Sequence, residues 1–87
     1  MSHMEIVNRF LDEEGRIRQM PAKRAKVEAL LDYLVEQFET GRLYAEREIN
    51  EVLLRFHPDF CTLRRYLVDT RRMARNSLTG QYWRTAE

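Results

Sequence analysis

The chain has 87 residues and 10.6 kDa, with 15 Lys+Arg against 14 Asp+Glu and a formal net charge of +1. That length carries one small core, so the expectation is a single domain over residues 4–87. A hydrophobic share of 44% beside 33% charged residues excludes a disordered chain, and no apolar run reaches the ~18–20 residues that would span a bilayer.

The opening Met1-Ser2-His3 reads as an expression-tag remnant ahead of a start at Met4. Cys61 is the single cysteine, which excludes an intrachain disulfide and points to a reducing, cytoplasmic setting. Near-zero net charge argues at first against a nucleic-acid partner. Divided where its sign changes, however, the charge is strongly polarised. Residues 1–14 sum to −3, residues 15–26 to +5, residues 27–60 to −5 and residues 61–86 to +5. Such blocks either pair with one another in the fold or present separate faces to a partner.

In chain order, Ile6, Val7, Phe10 and Leu11 recur at helical spacing and predict a short first helix ending by Gly15. Residues 16–20 read as extended, because Pro21 disfavours helix at the residue before it and suits the first turn of the next helix. Val27, Leu30, Leu31, Leu34 and Phe38 then fall at i, i+3, i+4, i+7 and i+11, predicting an amphipathic helix over residues 23–38 with Gly41 as its cap. Leu43 and Tyr44 leave room for a very short strand. Ile49, Val52, Leu53 and Phe56 predict a helix over residues 46–56 that His57-Pro58 ends, and its early glutamates suit the positive end of the helix dipole. Asp59 is placed to cap a helix over residues 60–71 with Phe60, Leu63, Tyr66 and Leu67 facing inward. Residues 73–76 and 81–84, divided by Ser77-Leu78-Thr79-Gly80, read as a hairpin. The predicted fold is therefore α+β and mostly helical: a winged helix-turn-helix with an extra N-terminal helix and a C-terminal two-stranded hairpin.

Five stretches carry a resemblance: residues 15–23 (GRIRQMPAK), 44–53 (YAEREINEVL), 56–59 (FHPD), 62–69 (TLRRYLVD) and 80–84 (GQYWR). Together they resemble an uncharacterised bacterial family, domain of unknown function 2087, over nearly the whole chain from about Phe10. The resemblance implies a regulatory setting, since members occur alone or appended to helix-turn-helix transcriptional regulators, and it implies no chemistry. Ala45 departs from the pattern at a capping position where Ser or Thr is expected. The hairpin tip also lacks the basic residue that a DNA-contacting wing often carries.

The residues themselves give candidates for a duplex-DNA interface. A groove-reading helix needs short polar and Arg side chains on its outer face, with basic flanks to hold phosphates. Helical spacing turns Cys61, Thr62, Arg65, Asp69 and Arg72 outward, with Arg64 at the border. Thr62 and Arg65 are the expected base contacts, and Arg64, Arg72, Arg75 and Arg84 the expected phosphate contacts. Lys23 and Arg24 lie at the start of the longest helix, whose N-terminal N–H groups attract anions. The competing reading pairs Arg65 with Asp69, four residues on, and pairs the 16–26 block with Glu13, Glu14 or the acidic helix over residues 46–56. One of Tyr82 and Trp83 is expected in the core, because strand neighbours face opposite sides.

His57 and Cys61 are four apart, but the chain supplies no further Cys or His outside the presumed tag, so no metal site and no cofactor are expected. No phosphate-binding glycine loop, nucleophile elbow or Ser-His-Asp set is present, and no enzyme is expected. The alternative to a DNA-binding regulator is a winged-helix interaction domain, in which the acidic helix over residues 46–56 or the first helix mediates dimerisation or docking to a partner regulator; Ile6, Val7, Phe10 and Leu11 either form a homodimer seam or pack within the monomer.

Overall fold

The computed structural model describes residues 3–85. Apart from His3, the expected tag remnant lies outside them. Helix α1 spans His3–Val7, α2 Arg24–Val35, α3 Glu46–Leu54 and α4 Phe60–Asp69; strands β1 (Tyr44–Ala45), β2 (Met73–Arg75) and β3 (Gln81–Arg84) complete the chain. This is an α+β fold with four helices and one antiparallel three-stranded sheet, ordered β1-β3-β2. The expected hairpin forms with Ala74 opposite Trp83. The short strand then joins it, Tyr44 pairing with Tyr82, so the sheet has three strands rather than two.

The helices form where apolar periodicity and local caps agree. Leu30, Leu31 and Leu34 of α2, Ile49 and Leu53 of α3, and Leu63 and Leu67 of α4 are buried together with Val7, Phe38, Met73 and Tyr82. Each such side chain contributes about 1.5–3 kcal/mol over its exposed state. Helix α4 starts at the expected residue because Asp59 accepts from the Thr62 amide (3.3 Å) and the Thr62 hydroxyl (2.7 Å). These two hydrogen bonds, the hydroxyl's first, hold the Asp59 carboxyl below its ordinary range. His57 Nδ1 in turn accepts from the Asp59 amide at 3.0 Å, so the histidine serves the turn.

At α3 the Glu48 carboxylate accepts from the Ala45 amide at 2.9 Å, and that bond lowers the Glu48 pKa. Ala45 has no oxygen to return to the Glu48 amide, so only half of a capping box exists. Ala45→Ser completes it and is expected to raise unfolding stability by roughly 0.5–1 kcal/mol. Chemical denaturation of the two chains side by side checks this.

Several boundaries differ from the sequence reading. Helix α1 ends at Val7, and Arg9 and Phe10 continue only as turns onto Ile6 and Val7. The Asp12 carboxylate accepts from the amides of Glu14 and Arg16, and Gly15 takes φ +81°, folding the chain so that Leu11 bridges Ile17. Such local side-chain bonds compete with helix propagation. Helix α2 ends at Val35 in tight turns, Gln37 onto Leu34 and Phe38 onto Val35, and Gly41 (φ +84°) serves a turn beyond it instead of capping it. Pro21 precedes the Lys23 N-cap by two residues and is not in the first turn. Tyr66 is 39% exposed, off the inner face assigned to it, because Phe60, Leu63 and Leu67 already complete that stripe.

Candidate nucleic-acid interface

Helix α3 leads into α4 through residues 55–59, and Arg64 reaches back across that junction to donate to Asn50 Oδ1. The Arg16 guanidinium closes the C-terminal end of α3, donating to the carbonyls of Leu54 (3.1 Å) and Arg55 (2.9 Å). A cation at the negative end of a helix is favourable, so this part of the 16–26 block is used structurally. Arg18 is used likewise, donating to the Arg9 carbonyl at 2.7 Å.

Between the outer face of α4 and the hairpin lies an open cleft of about 280 Å³. Arg64, Arg65 and Arg75 line it together with Glu46, Asp69 and Tyr82. Tyr82 is the core member of the aromatic pair, as strand alternation requires. Its hydroxyl donates to Glu46 Oε1 at 2.9 Å, and burial, then that bond, raise its pKa. Arg75 lies with its guanidinium 5.8 Å from the Tyr82 ring centroid. Among the described residues no ion pair joins Arg65 to Asp69, which leaves the Arg65 guanidinium available to a ligand.

The eight candidates do not come together. Thr62 has its hydroxyl proton committed to Asp59. Arg72 follows α4 rather than extending it and folds back on α2, its Nε 2.7 Å from Asp32 Oδ1 and a terminal nitrogen 3.3 Å from the Glu28 carbonyl. At 17% side-chain exposure it is a strut between α2 and the start of the sheet. Arg84 donates to the Phe38 carbonyl at 3.2 Å and lines the same side as Arg72. Arg24 pairs with Glu28 at 3.2 Å, and Lys23 stands exposed at the α2 N-cap without a side-chain cap bond. Of the expected contacts, Arg64, Arg65 and Arg75 share the cleft beside α4, whereas Arg72 and Arg84 line a different groove.

Sequence spacing missed the Glu46–Tyr82 pair, which joins residues 36 apart, and missed Arg71, which adopts φ +62° just beyond α4. A Gly is the usual signal at such a position, and here it is absent. No group of three metal-ligating side chains occurs among the described residues, and no helix there is long and apolar enough to cross a membrane.

These features define a small α+β domain with a guanidinium-lined cleft beside its last helix. Residues 16–84 match the family described as an uncharacterized protein conserved in bacteria, domain of unknown function 2087, and the chain belongs to that family. Comparison with curated proteins and with solved structures gives no match.

Proposed function

We propose that this domain is a winged helix that binds duplex DNA weakly, as a bacterial cytoplasmic regulator or an auxiliary module of one, without catalysis of its own. The observation that carries the reading is the convergence of Arg64, Arg65 and Arg75 on one cleft between α4 and the hairpin. The element order supports it: two helices joined by a short turn, followed by a hairpin whose sheet β1 completes. Weakness follows from the charge balance, because Glu46 and Asp69 line the same cleft and the net charge is +1.

A second reading, an interaction domain that binds protein, draws on a specific observation. Glu28 meets both Arg24 (3.2 Å) and Arg72 (3.9 Å), so the acidic segment pairs with both basic blocks instead of leaving them as one face. The test is retention on a random-sequence duplex at low salt, run with the Arg64→Ala/Arg65→Ala variant and with sedimentation of the free chain. Binding that the variant loses supports the DNA reading. Self-association without duplex retention, or retention unchanged in the variant, overturns it.

A further inference from the structure

A second concavity lies away from the α4 cleft. It is an open groove of about 980 Å³ between the flank of α2 and the segment that carries the chain from α4 into β2, with the end of β3 alongside. Its volume is that of small-molecule sites, which run about 300–1,000 Å³. One wall is acidic, with Glu28 and Asp32 on successive turns of α2; the other is basic, with Arg71 and Arg72.

Arg72 is consumed by the fold, as its bonds to Asp32 and the Glu28 carbonyl show. Arg71 is not. The Arg72 amide donates to the Leu67 carbonyl (2.9 Å) and the Arg71 amide to the Val68 carbonyl (3.0 Å), the paired bonds that end a helix with its next residue left-handed. Arg71 occupies that left-handed position at φ +62°, where glycine is favoured because it has no β-carbon. The fold uses the Arg71 backbone, since its carbonyl accepts from the Thr85 hydroxyl at 2.7 Å, and any residue supplies that carbonyl. The side chain makes no hydrogen bond or ion pair among the described residues. A conformational cost is thus carried by a residue of the groove lining whose side chain makes no bond to the rest of the described fold.

The rest of the lining offers acceptors. The Thr70 hydroxyl gives its proton to the Tyr66 carbonyl (2.7 Å) and that of Thr85 to the Arg71 carbonyl, so each oxygen has only lone pairs left to offer. Asp32 spends Oδ1 on Arg72 and keeps Oδ2. Arg71 on one wall and the remaining Asp32 oxygen on the other give the groove a cationic donor facing an anionic acceptor, complementary to a dipolar molecule.

We propose that this groove binds a small zwitterion, its carboxylate on Arg71 and its ammonium on Asp32. The site stands whether or not the α4 cleft takes DNA. Free amino acids and short peptides with free termini share this chemistry, and both are arms of the test. The full chain is titrated by calorimetry and thermal shift with single L-amino acids, with tripeptides, with the same compounds blocked at either end, and with inorganic phosphate.

At least one zwitterion is expected to bind and raise Tm, and blocking either end is expected to remove the effect. Arg71→Gly should weaken that binding about tenfold or more, the loss of a charge-assisted contact. The same substitution should raise Tm without ligand, which separates lost binding from lost folding, and Arg71→Lys should bind between the two. Binding in the amino-acid arm or the tripeptide arm identifies the source. Absence of any zwitterion binding, equal binding of blocked compounds, response to phosphate alone, unchanged affinity in Arg71→Gly, or a lowered unliganded Tm in that variant each overturns the proposal.

Discussion

Phe38→Ala is expected to destabilise the domain by about 3–5 kcal/mol, the range for deleting a buried aromatic ring. Phe38 is 2% exposed although it lies beyond the last turn of α2. Its ring meets Tyr44 edge to face, centroids 5.3 Å apart, and Tyr44 is the β1 residue that pairs with Tyr82. The Tyr44 hydroxyl accepts from the Glu39 amide at 2.7 Å, and the Phe38 carbonyl accepts from Arg84. One side chain therefore sits where the end of α2, the edge strand and the central strand converge. Removing the ring opens a cavity that neither the strand nor the helix can close without breaking those bonds. Because domains of this kind have only about 5–15 kcal/mol in total, the loss is a large share of it. Urea unfolding followed by far-UV dichroism measures it, and Phe38→Leu, which keeps most of the volume, should lose much less.

Phe38 also shows which features are legible in a sequence. Its burial follows from apolar spacing at i+11, yet the helix that spacing implies ends three residues earlier. Hydrophobic period reports which side chains share a face; it does not distinguish a helical turn from the tighter turns that replace α2 after Val35. Helices α3 and α4 were readable at both levels, because Glu48 and Asp59 mark their starts and His57-Pro58 separates them. Helix α1 was not, since Asp12 takes the amides of Glu14 and Arg16 for a loop that apolar period does not register. Pairing of β1 with β3 joins residues 38 apart and has no local signature.

The candidate site was less legible than the fold for a related reason. Local spacing lists which cations lie on α4, but their availability depends on partners distant in the chain. Arg72 meets Asp32 across 40 residues, Arg84 meets the Phe38 carbonyl across 46, and Arg16 meets the Leu54 carbonyl across 38. The one pairing that spacing did anticipate in this region, Arg65 with Asp69, does not form, consistent with the weakness of such exposed pairs, about 0.2–0.5 kcal/mol. Block charge marks two basic segments of the chain; the tertiary fold determines which guanidinium groups remain for a ligand.

That inventory makes the salt dependence of duplex binding the sharpest discriminator. Each phosphate neutralised by a protein cation releases counterions, and the logarithm of affinity falls with the logarithm of salt by about 0.9 per contact. If all the cations among the eight sequence candidates engaged DNA, the slope would be about −6. With Arg64, Arg65 and Arg75 alone in the cleft it should be about −3, and a fourfold rise in salt should weaken binding only about 40-fold. Arg65→Glu/Arg75→Glu should then abolish measurable binding, since it places two further carboxylates beside Glu46 and Asp69 and leaves Arg64 to Asn50. Arg84→Gln, by contrast, should leave the slope where it was, because that side chain turns away from the cleft to the Phe38 carbonyl. Fluorescence anisotropy of a labelled duplex across salt concentrations gives the wild-type and Arg84→Gln slopes and shows the loss of binding in the double variant. A wild-type slope near −6, or one that Arg84→Gln reduces, would mean that the interface extends over the groove side of the molecule as well, which the Arg72 and Arg84 contacts argue against.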